Sequence, residues 1–364
     1  MKPGALEAIL AAYLTDGHYN GISIGVRNID PMIFKHLADL GLIKSVFVVR
    51  GTGNTWGFGS YFPKKLSEAA LKCLEGAKKP YTKIKDEVAD GLDIATLLKW
   101  IIEFEGDIYI QTWGDRLLLV ISMTQYEAIG ESRIDDSIGR LRLSVKDTEA
   151  LIDEGMITPS KIWLDYIVDR IQGLFGRRLK YYKSYQLDLT TRKTSLAHNY
   201  YFYADCTTDV SAANILENLA IPCTWKGVTT KILSEALWAY TDREIGLKDI
   251  SLIKKLINCR IDRPLKGPYN EYIIMQLPQI YPLLLNGKEE RVAEKMRKLE
   301  RLINYFTYER KKSFIRLLST LTDEEMKRLQ GLTKALNSLE TLVKQFSKGG
   351  TPIGRLWVVV YAAH

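Results

Sequence analysis

Apolar and polar positions alternate along the first two hundred residues in short segments typical of both strands and helices. Strands are predicted at Ile22–Val26, Val46–Val49, Asp107–Trp113, Leu117–Thr124, Arg140–Val145 and Asn199–Ala204. Helices are predicted at Pro31–Leu40, Lys64–Ala77 and Ile94–Phe104. Because these elements do not alternate strictly as strand-helix-strand units, the pattern favours a mixed α+β sheet over a doubly wound one.

The pattern becomes helical after about Ser211. Shorter helices are predicted at Val228–Tyr240 and Lys248–Cys259, followed by two longer amphipathic helices. Their apolar seams are Val292, Met296, Leu299, Ile303 and Phe306, then Leu329, Leu332, Leu336, Leu339, Val343 and Phe346. Seams of this spacing bury themselves by antiparallel bundle packing. We therefore predict an α+β fold, with a mixed-sheet domain at residues 1–210 and a mainly helical bundle with a final strand at 211–364.

Composition narrows the class of protein. The apolar fraction of 46% and the charged fraction of 26% are those of a globular protein and exclude wholesale disorder. The four cysteines, at positions 73, 206, 223 and 259, form no CxxC pair, which argues against a disulfide framework and a cysteine zinc site. No apolar run is long enough for a membrane span and no signal peptide is recognised. We expect a cytoplasmic protein without a metal or another cofactor.

Charge is distributed unevenly along the chain. Residues 1–169 carry 19 Lys and Arg against 24 Asp and Glu, whereas residues 170–364 carry 32 against 19. A basic half joined to a mildly acidic half indicates a polyanionic partner. The alternative is a protein whose surface charge is merely uneven.

Two segments combine basic and aromatic residues. The first, Arg50–Lys65, alternates glycines with Trp56 and Phe58, so backbone amides and ring faces are available to a nucleic acid. The second, Arg170–Lys193, holds seven basic residues, one acidic residue and the tyrosines 181, 182 and 185. Cations would neutralise phosphates there, and rings would stack on unpaired bases. The alternatives are a glycine-rich hairpin packed on its sheet and a solvated helix end with core tyrosines.

Catalytic groupings are weak. Asp135 and Asp136 form a carboxylate pair, but no His or Cys stands in a supporting motif. His198 lies beside the predicted tyrosine-rich strand and could act as a base, although an isolated histidine is more often structural. Because no hydrolase, metalloprotease or nucleotide-binding motif is present, we expect a protein that is not an enzyme.

These traits together resemble the large subunit of an archaeal type I-A CRISPR interference complex (Cascade). The shared traits are an α+β first half with a glycine-aromatic loop, a basic second half ending in amphipathic helices, and the lack of a catalytic motif. The resemblance implies a non-catalytic subunit that contacts crRNA and target DNA within a multi-protein antiviral complex. Some members carry a cysteine zinc site, from which this chain departs.

Carried onto this chain, the resemblance assigns two sets of nucleic-acid contacts. Reading of a short flanking motif in duplex DNA would fall to Asn54, Thr55, Lys64 and Lys65, with Trp56 or Phe58 against sugar or base. Backbone contacts would fall to Arg177, Arg178, Lys180 and Lys183. Two alternatives stay open: a metal-dependent nuclease or nucleotidyl-transfer enzyme using Asp135 and Asp136, and an assembly protein whose helical half contacts other proteins.

Overall fold

The computed structural model describes residues 2–28, 31–44, 47–50, 56–76, 79–132, 134–135, 137, 139–175, 179–207, 211–219, 221, 224–258 and 321–337. The helices of this part of the chain, α1 to α11, are Ala5–Leu14, Pro31–Asp39, Lys64–Lys72, Asp86–Ala89, Ile94–Phe104, Val145–Asp153, Val168–Phe175, Ser211–Leu219, Trp225–Thr241, Leu247–Asn258 and Asp323–Ala335. The strands, β1 to β11, are His18–Tyr19, Ile24–Asn28, Phe47–Arg50, Trp56–Tyr61, Leu74–Glu75, Lys83–Ile84, Asp107–Trp113, Arg116–Gly130, Leu141–Arg142, Leu179–Thr190 and Lys193–Asp205. None of the described helices has the length and apolar character needed to cross a membrane.

A four-stranded antiparallel sheet forms the first layer, with the strand order β1–β2–β4–β3. The close approach of β1 requires glycine at position 25, because a Cβ atom there would lie 2.5 Å from the ring of His18. Helix α2 begins at Pro31 and ends at Asp39, and Gly41 follows with a φ of +73°. The predicted helix with proline in its first turn and glycine beyond its end is thus confirmed.

Helix α5 occupies the predicted range, Ile94–Phe104. Its N-terminus is capped by the Asp93 carboxylate, which accepts hydrogen bonds from two backbone amides of the first turn. Its C-terminus is capped by Lys226, whose Nζ donates to the carbonyls of Ile102 at 2.6 Å and Gly106 at 2.7 Å. A cation among the last carbonyls of a helix also favours the helix dipole, so this lysine joins α9 to α5.

The second layer is a curled five-stranded antiparallel sheet with the order β7–β8–β11–β10–β9. Tight turns impose this arrangement: Gly114, at a φ of +59°, joins β7 to β8, and residues 191–192 join β10 to β11. The hairpin predicted at Asp107–Trp113 is therefore confirmed, although its second strand runs on to Gly130.

One face of this sheet is covered by the apolar core. The residues of β11 on this face, which are Leu196, His198, Tyr200, Phe202 and Ala204, are buried, and helices α5, α7 and α9 pack against the sheet. The same apolar core extends from α1, which is buried along nearly its whole length, to Leu332 and Leu336 near the C-terminus. The opposite face of the sheet carries the polar and aromatic residues considered below.

The predicted fold class is wrong in two respects. The described strands pair only antiparallel, so the sheets are not mixed: hairpins join β7 to β8 and β10 to β11, and β11 also pairs antiparallel with β8 although helices α6 and α7 lie between them in the chain. The described helices after residue 210 also form no separate bundle. Helix α8 packs on α5 and helix α9 packs on β7, so both cover the sheet layers.

The predicted C-terminal helices are only partly within the described residues. Helix α11 begins with a capping box, in which Thr322 accepts from the Glu325 amide at 3.2 Å and Glu325 accepts from the Thr322 amide at 3.0 Å. The helix ends at Ala335, however, and Leu336 adopts an extended backbone, so its seam does not continue as one helix. The seam at 292–306 and the final strand lie outside the described residues, and the division at residue 210 stays a prediction.

A cluster of four charged side chains joins the two sheet layers. Asp16 follows α1, Lys79 precedes β6, Glu105 ends α5 and Lys226 begins α9. Gln125 of β8 donates a hydrogen bond to the Glu105 carboxylate, and Lys79 donates to the carbonyl of Gly17 at 2.9 Å. Burial, followed by the negative charge of Asp16, raises the pKa of Glu105 to about 8 despite the two lysines.

The raised pKa of Glu105 predicts a pH-dependent stability. The stabilisation from the protonated carboxyl is fully present below its ordinary pKa and is lost as the pH rises through about 8. Glu105→Gln fixes the neutral form, so we expect the variant to melt above the parent at about pH 9 and to show a flatter melting profile between about pH 5 and pH 9. Circular dichroism melts measure this. Glu87→Gln, at an exposed site on α4, should show the same dependence of melting temperature on pH as the parent. If all three proteins show the same dependence, the prediction is refuted.

Candidate nucleic-acid interface

The face of the five-stranded sheet opposite the core carries a group of exposed aromatic rings. Side chains alternate between the two faces of a strand, and paired residues of neighbouring strands share a face. Between β10 and β11, the register pairs Tyr182 with Tyr201 and Lys180 with Tyr203. Val120 of β8 pairs with Tyr203 on one side and with Tyr109 of β7 on the other, so Tyr109 lies on the same face. We call the surface formed by Tyr109, Trp113, Tyr182, Tyr201 and Tyr203 the aromatic face.

Three tyrosines of the aromatic face lie close together, and two of its five rings are exposed while Tyr109, Tyr201 and Tyr203 are half-buried. The ring centroids of Tyr182 and Tyr201 are 6.3 Å apart and those of Tyr201 and Tyr203 are 6.1 Å apart, with interplanar angles of 25° and 28°. Trp113 is 69% exposed and Tyr182 48% exposed. Burial, followed by the neighbouring tyrosines, raises the pKa of Tyr109 to about 12, so its hydroxyl stays neutral at physiological pH. The tyrosine rings themselves are therefore uncharged and able to stack.

Two cationic side chains stand at the edge of the aromatic face. Lys180 is exposed and points to the same face as its partner Tyr203. Arg116, beside Trp113 at the hairpin, donates to one oxygen of Asp205 at 3.0 Å from Nε and 2.6 Å from the guanidinium end. Arg116 is therefore balanced by a carboxylate, whereas the charge of Lys180 has no ion-pair partner among the described residues.

A second cationic group lies on the same face toward the β10–β11 turn. The Asp188 carboxylate is almost fully buried and accepts hydrogen bonds from Arg140 and Arg142, whose side chains are 56% and 43% exposed. Arg142 also donates to the Tyr126 hydroxyl at 3.2 Å. The two arginines hold the pKa of Asp188 below its usual range, chiefly through the hydrogen bond from Arg140. Lys193 is exposed on this face as well, since it pairs with Thr190.

The covered face of the same strands holds buried ionisable pairs. Lys183 of β10 lies 2.6 Å from the carboxylate of Asp165, which belongs to a short 3-10 helix at Trp163–Tyr166. His198 Nε2 lies 2.9 Å from the Glu127 carboxylate, and neither side chain is more than 3% exposed. Burial lowers the pKa of His198 even though Glu127 opposes that change. A histidine so enclosed is a structural group rather than an accessible base.

The basic tyrosine segment thus divides between two faces. Arg177 and Arg178 lie outside the described residues. Lys180 is on the aromatic face, but Lys183 is on the covered face, where its charge is matched by Asp165. The helix-end alternative does not hold for residues 179–190, which form strand β10. The structure therefore does not bring Lys180 and Lys183 together on one phosphate-binding surface.

The glycine-aromatic segment forms part of the other sheet. Trp56 and Phe58 lie on β4, paired between β2 and β3, so the hairpin alternative holds for the backbone. Lys64 and Lys65 are exposed in the first turn of α3, and Lys64 is 3.8 Å from Glu68. Asn54 and Thr55 lie outside the described residues. The reading of a duplex motif by this segment stays a prediction.

The carboxylates of the enzyme alternative are only partly described. Asp135 is exposed and accepts the Ser137 amide at 2.8 Å, and Asp136 lies outside the described residues. Within the described part of the chain, no group of three or more His, Cys, Asp or Glu side chains is arranged to hold a metal ion.

The sequence analysis missed most of the aromatic face. Tyr109 and Trp113 lie on a correctly predicted hairpin, and their period-two spacing with Ile108 and Ile110 on the opposite face was the available signal. Arg140 and Arg142 were assigned to a strand without any function. Their common partner Asp188 is more than forty positions away in sequence, so no local pattern indicates the cluster.

Comparison with known proteins assigns no family to the chain. No protein-family model matches it, and no curated protein matches it either. The assignment of the interface therefore depends on the geometry of the described side chains.

The opposite placement of two lysines on β10 gives a matched test. Lys183→Met would leave the Asp165 carboxylate half-buried without its cation, so we expect the free energy of unfolding to fall by about 2 kcal/mol. Lys180→Met removes an exposed charge and should leave the stability within about 0.5 kcal/mol of the parent. Urea unfolding of both variants provides the measurement. Equal losses of stability would show that the assignment of the two faces is wrong.

Proposed function

We propose that this protein binds single-stranded nucleic acid on its aromatic face and catalyses no reaction on it. The observation that carries the proposal is a set of uncharged rings on one face of an antiparallel sheet, of which Trp113 and Tyr182 are exposed and the others are half-buried, with Tyr182, Tyr201 and Tyr203 lying close together. Stacking on such rings is the main way in which sheet surfaces hold unpaired bases, and it tolerates many sequences because each base has a ring face.

Single strands fit this surface better than a duplex does. In a duplex the ring faces of the bases are covered by their neighbours, so only the ends could stack on Tyr201 and Tyr203. An unpaired strand can place successive bases on successive rings, and Lys180 at the edge can meet its backbone. The buried or carboxylate-paired groups on the other face of the sheet supply no catalytic role.

A wider proposal follows from the resemblance to the large subunits of Cascade. In that role the protein would be a non-catalytic subunit that contacts crRNA and target DNA and reads a short flanking motif. Such a subunit contacts crRNA, whose bases are unpaired where no target is bound, and a surface that stacks unpaired bases is the support that the aromatic face lends. Purification of the tagged protein from its native host, followed by sequencing of bound RNA, tests it: a discrete set of small guide-like RNAs supports the role, and their absence contradicts it.

The aromatic face predicts a specific loss of affinity. In Tyr201→Ala/Tyr203→Ala two stacking rings are removed, so we expect binding of a short single-stranded oligonucleotide to weaken by about 1–3 kcal/mol for each base that loses its ring. Fluorescence anisotropy with a labelled oligothymidylate and its RNA counterpart measures the affinity. Because Trp113 lies on the same face, its emission should also change when the parent protein binds.

Two controls accompany this experiment. Tyr19→Ala removes an exposed tyrosine of the four-stranded sheet and should leave the affinity unchanged. A blunt duplex of the same sequence should bind the parent more weakly than the single strand does. An unaltered affinity in the double variant, with its melting temperature preserved, would exclude the aromatic face as the binding surface.

A further inference from the structure

Two exposed guanidinium groups are held side by side by one buried carboxylate. Arg140 Nε lies 2.8 Å and 3.0 Å from the two oxygens of Asp188, and Arg142 donates to the same carboxylate at 3.2 Å. Asp188 is 2% exposed while both arginines are about half exposed. One negative charge thus stands against two positive charges, and the surplus positive charge faces solvent.

The two arginines retain hydrogen-bond donors that Asp188 does not use. A guanidinium carries five N–H groups in a rigid plane. Arg140 directs its Nε and one terminal nitrogen to Asp188, and Arg142 directs one terminal nitrogen to Asp188 and to the Tyr126 hydroxyl. The Tyr126 hydroxyl also contacts Arg140. Among the described residues, the remaining N–H groups of the two side chains have no further acceptor, and fixed guanidinium planes suit the oxygens of a phosphate.

The arginine pair lies on the same face of the sheet as the aromatic rings. Arg142 pairs with Asp188, and Asp188 pairs in turn with Ser195 of β11. Ala197 and Asn199 follow on the same face of β11, two and four positions further along the strand. Ser195, Ala197 and Asn199 are nearly buried, so this stretch of the face is largely closed to solvent between Tyr201 and the arginines. Exposed Lys193 adds a further cation at the same end.

We propose that Arg140 and Arg142 form a phosphate-binding site for the backbone of the single strand whose bases stack on the aromatic face. The inference rests on the proposed function, since that function supplies the ligand. Asp188 is a positioning residue: it touches no phosphate but holds both guanidinium planes toward it. The aromatic rings therefore stack on the bases, and the arginine pair binds a phosphate of the nucleic-acid backbone further along the same face of the sheet.

The dependence of affinity on salt separates these two contributions. In Arg140→Gln/Arg142→Gln, we expect the slope of log K against log salt for a single-stranded oligonucleotide to fall by about 0.7 for each phosphate that the variant no longer neutralises. Removal of rings in Tyr201→Ala/Tyr203→Ala should lower the affinity and leave that slope unchanged. As a matched control, Lys248→Gln/Lys327→Gln removes two exposed cations from helices α10 and α11 and should alter neither quantity.

Each result bears on one proposal or the other. An unchanged slope in the arginine variant overturns the phosphate site, while a lower affinity in the tyrosine variant still supports the aromatic face. A reduced slope in the arginine variant supports the phosphate site. If the affinity of the tyrosine variant is unaltered in the same experiment, stacking on Tyr201 and Tyr203 is refuted. The phosphate site would also be overturned if the arginine variant lost no more affinity than the Lys248→Gln/Lys327→Gln control does.

Asp188→Asn tests the positioning role. This isosteric change removes a negative charge, so electrostatics alone predicts tighter binding of an anion. If the two guanidiniums need the carboxylate to hold them, the affinity for the oligonucleotide should instead fall by about fivefold. A melting temperature well above the temperature of the binding assay shows that the variant is folded when its affinity is measured. Unchanged or tighter binding would overturn the positioning role.

Discussion

The pairing of β11 with β8 on one side and with β10 on the other governs what each side chain of the large sheet can do. A continuous register from residue 179 to 190 leaves no bulge between β10 and β11, so the two faces remain separate along the strands. Residues such as Tyr200 and Phe202 enter the core, and their neighbours Tyr201 and Tyr203 face the other way. A shift of one residue would exchange the two sets and bury the exposed tyrosines.

The core depends on the same alternation for its buried ionisable groups. Lys183 and His198 are tolerated on the covered face because each meets a carboxylate from a different segment, Asp165 and Glu127. Burying a charge without such a partner costs several kcal/mol, so these pairs restrict how β10 and β11 can slide. The pairs are non-local in sequence, and they support the register rather than any reaction.

Local patterns predicted the local structure well. Helix α5 and the hairpin from Asp107 were found because turn residues and apolar periodicity lie within a few positions of each other. Strand β10 was missed because its charges were read as a cluster, although Leu187 and Leu189 alternate with polar residues in the manner of a strand. Charge counted along the chain does not distinguish faces, and two residues three positions apart on a strand point in opposite directions.

Non-local contacts explain why only part of the candidate interface could be predicted from the sequence. The prediction of a nucleic-acid partner came from the basic second half of the chain, yet Lys183, one of the predicted phosphate contacts there, is matched by the Asp165 carboxylate in the fold. The proposed function instead assigns the nucleic acid to the aromatic face, where stacking rather than net charge would supply most of the attraction. Stacking depends little on salt, whereas phosphate contacts depend on it strongly. A protein that binds in this way gains its affinity from a few rings, and the small number of free cations beside them fixes where the backbone of the strand lies.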